Sequence, residues 1–252
     1  MIATLIESRS ITPRDTLYVL QNPELAKRSR PGQFVEIKLT DAGDPFLRRP
    51  ISIFDCDGEN TISLLVRTVG YGTQHMTQWQ PGMQVDVLGP LGNGFTLDPD
   101  ASTCLLIGGG IGLAPLNFLA RTLLHQGKKV HILFSPKRDA QLVDALSDAD
   151  SFTIHYADNR AHFSTVLSAL LQDMPDQVFA CGPEGLLEII ADQTAELGIP
   201  CQLSMERRMG CGFGICLGCA ISIRTENGLV YKKVCKDGPV FRAEEVSFHE
   251  LP

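Results

Sequence analysis

No stretch of this 252-residue sequence approaches the roughly 20 apolar residues that a membrane helix requires. The opening, MIATLIESRSITPRD, mixes acidic and basic residues and lacks the apolar core of a secretory leader. Basic charge is also scarce: 22 Lys and Arg face 29 Asp and Glu, for a formal net charge of −7. That balance argues against bulk nucleic-acid binding and suits an anionic membrane surface poorly. There is no repeat, low-complexity tract or long linker, and the six histidines show no metal-ligand spacing. These absences lead us to expect a cytoplasmic protein that binds neither nucleic acid nor membrane. In a reducing compartment, clustered cysteines read as ligands or redox groups before they read as structural disulfides.

The eight cysteines are not equivalent. Cys104 lies in the apolar run CLLI and reads as a small buried hydrophobe, while Cys56 and Cys201 have no cysteine nearby. Near the end of the chain, CGFGICLGC and the later KKVCKDG give Cys211-x4-Cys216-x2-Cys219-x15-Cys235. The leading C-x4-C-x2-C is the plant-type spacing for a 2Fe–2S cluster held by four thiolates. Gly212, Gly214 and Gly218 let the loop fold back so that backbone N–H groups point at sulfur. Zinc, which usually takes paired C-x2-C ligands, and disulfides are the alternatives.

The first hundred residues predict strands. QFVEIKL, TISLLVRTV and MQVDVLG are short β-branched and apolar runs, separated by turn signals such as RPGQ, CDGEN and QPGMQ. This predicts an antiparallel barrel or sandwich. Beyond Asp98, strands TCLLIGGG, KVHILFS, SFTIHYA, QVFACGP and IPCQLSM alternate with the helical runs LAPLNFLARTLLHQG, DAQLVDALSDA, STVLSALLQDM and EGLLEIIADQTAELG. Strict alternation predicts a parallel sheet covered on both faces. The expected fold is multi-domain, β followed by α/β, with boundaries at 1–98, 99–203 and 204–252.

Four short motifs could hold a nucleotide. In IGGGIGLAP, Gly108, Gly109, Gly110, Ile111 and Gly112 sit where an α/β sheet carries its phosphate loop. The second strand of this part ends in FSPKRD, without the acid that would grip an adenosine ribose. Ser135, Lys137 and Arg138 could meet a 2′-phosphate or form a solvated loop. In ACGPEGLL, Cys181, Gly182 and Pro183 fall at the same sheet edge, facing a crevice where a nicotinamide could lie, or form a plain turn with Pro183 opening a helix. In RRPISIF an arginine could neutralise a pyrophosphate while Ser52 bonds an isoalloxazine edge, and GYGT places Gly72 and Thr73 at the start of a short helix.

The order of these pieces, with GPLGNGF between them, resembles the ferredoxin reductase superfamily over residues 1–203. That resemblance implies an FAD-binding β-barrel in front and a nicotinamide-binding α/β domain behind. By resemblance, Arg49, Pro50, Ile51, Ser52, Leu65, Val66, Arg67, Gly72 and Thr73 contact FAD, and Ile51 replaces the usual aromatic. With MGCGFGICLGC and YKKVCKDGPVF added, the whole chain is similar to the electron-transfer subunits of dihydroorotate dehydrogenase B. This implies a 2Fe–2S cluster on Cys211, Cys216, Cys219 and Cys235. It also implies an FMN-containing catalytic partner in a heterotetramer of two of each chain. Electrons would pass from that FMN through the cluster and FAD to NAD⁺ in pyrimidine biosynthesis, with no catalytic acid or base on this chain. Reductase subunits of ferredoxin–NAD(P) transhydrogenases and sulfide dehydrogenases share the plan. A zinc- or cluster-stabilised redox-sensing module is the non-enzymatic alternative. Glu206, Arg207 and Arg208, just before the cysteines, could touch FAD or the partner, but read first as a solvated charge run.

Overall fold

The computed structural model describes residues 1–40, 43–135, 140–146, 148–157 and 159–249. The first part forms one seven-stranded antiparallel sheet from β1 (Ile2–Ser10), β2 (Asp15–Gln21), β3 (Phe34–Ile37), β4 (Arg49–Ser52), β5 (Asp55–Cys56), β6 (Thr61–Arg67) and β7 (Gln84–Leu91). Its order is β4-β3-β7-β1-β2-β6-β5. The two edge strands are joined by only Ile53 and Phe54, so the sheet rolls on itself around a core that includes Leu5, Tyr18, Leu20, Ile37, Leu64 and Val87. It is a rolled barrel; among the described residues no ladder pairs β4 with β5. Two short helices flank it, α1 (Pro23–Arg28), capped by the Asn22 side chain accepting from Leu25 N–H at 2.8 Å, and α2 (Tyr71–Met76).

The second part contains β8 (Thr103–Gly109), α3 (Ala114–His125), β9 (Lys129–Ser135), β10 (Thr153–Tyr156), α4 (Arg160–Gln172), β11 (Gln177–Cys181), α5 (Glu184–Leu197) and β12 (Cys201–Ser204). β8 and β11 are apolar along nearly their whole length because both faces are covered. The sheet order β10-β9-β8-β11-β12, with Val240–Arg242 as the strand beyond β12, reverses direction of growth between β8 and β11, which places a crevice at their carboxyl ends.

One expectation is corrected. The helix predicted from DAQLVDALSDA lies partly outside the described residues; where described, it is two short 3₁₀ turns, Ala140–Ala145 and Ala149–Ser151, separated by Asp148 at φ 58°. A left-handed residue between them stops α-helical propagation. The five strands β8 to β12 are all parallel, as expected, and the chain's last part adds one more strand to them. After the hairpin of β13 (Ala220–Thr225) and β14 (Gly228–Lys233), β15 (Val240–Arg242) returns as an antiparallel edge strand on β12.

The cysteine segment is therefore sewn into the second sheet. Ile221, Ile223, Val234, Phe241 and Val246 share one buried cluster with Leu187, Ile190 and Leu203. Burial of each large aliphatic among them is worth roughly 1.5–3 kcal/mol.

Candidate functional site

Where the rolled sheet, the crevice and the cysteine segment meet, a cavity of about 360 Å³ opens. Strands β4 and β6 supply Arg49, Pro50, Ile51, Ser52, Leu65, Val66 and Arg67, and α2 supplies Thr73. Ile111 and Ala114 enter from the glycine turn. A third wall, of which the sequence reading raised only Glu206 and Arg207, comes from Phe34, Val69, Ser204, Met205, Glu206, Arg207, Met209 and Pro239. Five of these fall within residues 204–209, at the end of β12 and beyond it, where the alternating pattern ends and periodicity gives no further signal. Arg207 is not simply solvated, because its guanidinium pairs with Glu184 at 2.9 Å. Surrounding protein pushes the Glu206 carboxyl upward even though its surface is open to the cavity.

The two predicted arginines are held differently. Arg67 forms a two-pronged pair with the fully buried Asp15, Nε to Oδ1 at 2.7 Å and Nη2 to Oδ2 at 3.0 Å, and Thr12 donates its hydroxyl to the same carboxylate. Arg49 donates to the Leu47 carbonyl at 2.6 Å and lies across Gly72, where any Cβ would overlap its guanidinium. Gly72 itself does not line the cavity; it is the floor that lets Arg49 cross the start of α2. The Thr73 hydroxyl caps its own helix, accepting from Val69 N–H and Gly70 N–H.

At the nucleotide edge, the glycine turn and the Cys181–Gly182–Pro183 turn pack directly together. A Cβ on Gly112 would overlap the Cys181 carbonyl oxygen, and one on Gly109 would lie 2.9 Å from Pro183 Cδ. Gly108 packs against Leu113, and Gly110, at φ 57°, faces Arg67. One expectation fails here. Cys181 does not face the crevice, because its thiol is 1% exposed, bonded to Ser204, and pushed far up by burial. Of the three residues in this turn, Pro183 is the exposed one. Lys137 and Arg138 lie outside the described residues.

The four clustered cysteines fall into two pairs. Cys211 and Cys216 are hydrogen-bonded neighbours on the outer loop, Cys216 being exposed. Cys219 and Cys235 are neighbours in the interior, both 2% exposed, brought together by the β13–β14 hairpin, whose register sets Ala220 opposite Lys233. Backbone N–H groups point at sulfur in each pair, Ile215 N to Cys211 Sγ at 3.3 Å and Cys235 N to Cys219 Sγ at 3.4 Å. Burial pushes the Cys211 thiol up, but N–H groups of Cys216, Phe213 and Ile215 outweigh it and bring it to about 6. Cys235 is pushed up by burial and by the neighbouring Cys219 and Cys211 sulfurs. Such mutual repulsion is relieved by a bound cation.

Among the described residues no three His, Cys, Asp or Glu side chains converge on a single metal ion. Two cysteine pairs without a common centre suit a two-iron cluster better than a tetrahedral zinc. GPLGNGF proves to be the seat of this segment: Asn93 donates its amide to the Lys236 and Asp237 carbonyls and its N–H to Gly238 O at 2.6 Å, and it bridges Pro239 in parallel. One acid also reaches the cysteine loop from β3. Glu36 is 1% exposed, and burial pushes its carboxyl up to about 7 against the opposing pull of Arg48.

A flavin-type cavity at the junction of two such sheets, with a sulfur loop at its rim, is the plan of a ferredoxin reductase-like electron-transfer protein. Among solved structures, the chain is similar over its full length to one of the NADH-dependent reduced ferredoxin-NADP oxidoreductase, with TM-score 0.86, 26% identity and 91% of that chain covered. Phthalate dioxygenase reductase shares the fold at TM-score 0.66 and 19% identity, over 94% of this chain and 77% of that one. Residues 3–95 match the oxidoreductase FAD-binding domain, and residues 206–247 match the iron-sulfur cluster binding domain of dihydroorotate dehydrogenase B. The dihydroorotate dehydrogenase B (NAD(+)) electron transfer subunit of Geobacillus thermodenitrificans (strain NG80-2) is 39% identical, covering 96% of each chain. That of Caldanaerobacter subterraneus subsp. tengcongensis is 33% identical, covering 98% of each. The chain belongs to the family of dihydroorotate dehydrogenase B electron transfer subunits.

Proposed function

We propose that this chain is the NAD-linked electron-transfer subunit of a dihydroorotate dehydrogenase and works beside a separate FMN-containing catalytic subunit that oxidises dihydroorotate. The observation that carries this reading is the three-walled cavity, because whatever fills it touches the nucleotide edge on one side and the cysteine segment on the other. Residues 1–98 would hold FAD, 99–203 NAD, and 204–252 a 2Fe–2S cluster. When bound, FAD supplies the exchange between a hydride pair and single electrons, and the cluster supplies single-electron carriage.

The protein's part is to bind, orient and keep water out. Arg49, lying over Gly72, offers a cation to a pyrophosphate, and Ser52 offers a hydroxyl to a flavin edge. Leu65, Val66, Met205 and Met209 give the cavity apolar surface. Gly108 to Gly112, with Gly182 and Pro183, form the edge on which a nicotinamide nucleotide would rest. Cys211, Cys216, Cys219 and Cys235 would hold the cluster. No acid or base on this chain is needed for hydride transfer. Exposed Phe213, Ile215 and Leu217 surround exposed Cys216, an apolar rim suited to a partner at the point where electrons enter. Family membership supports a heterotetramer of two of each chain in the cytoplasm. Among the described residues no helix is long and apolar enough to cross a membrane.

The test is the visible spectrum of anaerobically purified protein, with flavin, iron and sulfide quantified, followed by NADH oxidation with menadione. We expect a brown flavoprotein active with NADH alone, and dihydroorotate oxidation only after the catalytic chain is added. Colourless protein, or strong preference for NADPH, would overturn the assignment. Co-purification with an unrelated oxidoreductase, in place of the FMN-containing chain, would overturn the pathway.

A further inference from the structure

The flavin-side sheet contains one group that its own fold does not account for. Glu36 lies in the middle of β3, opposite Pro50 of β4 and Leu88 of β7. It is 1% exposed, and its Oε1 has no hydrogen-bond partner among the described residues. Arg48 attracts the carboxyl electrostatically but does not bond it: one nitrogen donates to the Glu36 backbone carbonyl and another pairs with Asp86 at 2.6 Å. A buried carboxyl left in this state is less stable than an apolar side chain of the same size. For a plain barrel position, Met or Leu would be the more stable choice.

What the carboxyl does face is the cysteine loop. A Cβ on Gly212 would overlap Glu36 Cγ and Oε1 and would lie 2.7 Å from Cδ. Gly212 stands at φ +76°, so the chain there is folded to bring bare backbone against this one side chain, immediately after Cys211. Side chains two apart on a strand share a face, and Phe34, two residues before Glu36, lines the flavin cavity. Glu36 thus stands in the wall between that cavity and the outer cysteine pair.

We propose that Glu36 is a positioning residue of the iron–sulfur site, its polar head seating the loop from Cys211 to Gly214 against the flavin-side sheet. The inference rests on the cluster reading given above. It separates two quantities that a purely structural residue would move together. An apolar replacement relieves the buried carboxyl and leaves the sheet as stable or more so, yet removes the group that seats the loop.

The experiment uses full-length protein carrying both cofactors. Wild type, E36Q, E36M and G212A are compared for melting temperature, bound FAD, iron release to a chelator, and the electron paramagnetic resonance spectrum of the reduced protein. We expect E36Q to match wild type. E36M should keep FAD and an unchanged or higher melting temperature, yet release iron about tenfold faster, the lower range for a lost partner in the outer shell of a metal site. G212A, which intrudes on the same carboxyl from the loop side, should release iron faster with a shifted spectrum. E36M holding iron as tightly as wild type, or losing iron only in proportion to lost stability, overturns the proposal. Wild type without iron would instead overturn the cluster reading itself.

Discussion

Replacing Gly112 with alanine tests the nucleotide edge at its tightest point. Gly112 is not in the left-handed region, so alanine there meets no backbone strain and the whole effect is steric. Its Cβ would overlap the Cys181 carbonyl oxygen, and would stand 2.7 Å from the Cys181 carbonyl carbon and 2.9 Å from Gly182 Cα. All three obstacles are backbone, at the end of a strand paired on both sides, by β8 and by β12. Opening the 2.7 Å approach to an ordinary 3.4 Å contact moves one backbone by about 0.7 Å.

Overpacking of this kind costs about 1–3 kcal/mol, or roughly 2–10 °C in Tm for a chain of this length. The functional loss should be larger, since displacing a reacting group by about 1 Å can cost on the order of 100-fold. We expect kcat/KM for NADH with menadione to fall at least tenfold while the flavin stays bound, because Arg49, Ser52, Leu65 and Val66 lie on the opposite wall. Two substitutions calibrate the result. G109A meets the movable Leu186 side chain and Pro183, and should be milder; G185A meets nothing within 4 Å and should be neutral or slightly stabilising. If G112A retains wild-type Tm and NADH kinetics, the packing of the two turns does not position the nucleotide, and the reasoning fails.

Three further outcomes follow from the same structure. D15N strips the partner from Arg67, whose side chain is only 14% exposed; loss of about 3 kcal/mol by chemical denaturation and weaker FAD retention on gel filtration are expected. C219S, at the buried end of the cysteine cluster, should yield a yellow protein with flavin but without stoichiometric iron; unchanged iron and sulfide would remove Cys219 from the ligand set. His131 and His155 stand with ring nitrogens 3.1 Å apart on neighbouring strands, and burial first, then for His131 the charges of Lys129 and His155, holds both below the ordinary value. Depressed pKa values mean that the fold favours the neutral rings, so their contribution is present above about pH 6.5 and lost as the pH falls below it. H155F should flatten the pH dependence of Tm across that window, and an unaltered slope would exclude the pair as its source.

The second sheet was readable because strands covered on both faces are unbroken apolar runs, as in TCLLI and QVFAC. β1 was not: its burial runs exposed over most of its length, and IATLIESRS carries no alternation to detect. The helix predicted from DAQLVDALSDA failed because Leu142, Val143 and Leu146 are buried by two tight turns as readily as by a helix, and nothing local announces the left-handed Asp148. Spacing alone disclosed the cysteine segment, since a 4-2 interval reports loop geometry directly. Of the third cavity wall only Glu206 and Arg207 were legible, as residues that could touch FAD or a partner. Met205 to Met209 acquire a role only because β15 returns to β12 and draws the cysteine segment over the flavin side, a contact between residues far apart in sequence. Glu36 was hidden for the opposite reason: one acid in FVEI looks like the solvent face of a strand, yet all four residues are buried.

Electron transfer requires fixed spacing more than it requires acid or base groups, and the polar residues buried between the two sheets serve that need. Arg121 on α3 reaches Asp55 of β5 at 2.5 Å, and Asn117 on the same helix donates to the Phe54 carbonyl at 3.1 Å. Lys128, itself buried, donates to the carbonyls of Asp98, Pro99 and Ala101, so the connection between the sheets is tied down by a single ammonium group. Thr96 and Gln202 exchange two hydrogen bonds across the same junction. Separating the sheets would break the Arg121–Asp55 and Asn117–Phe54 bonds, at a cost beyond that of lost hydrophobic contact. On the proposed reading a nucleotide would come and go along the exposed edge at Pro183, with the flavin and cysteine sides held still. That is why the tolerance for error falls on the glycines of that edge, where backbone meets backbone, rather than on a hinge.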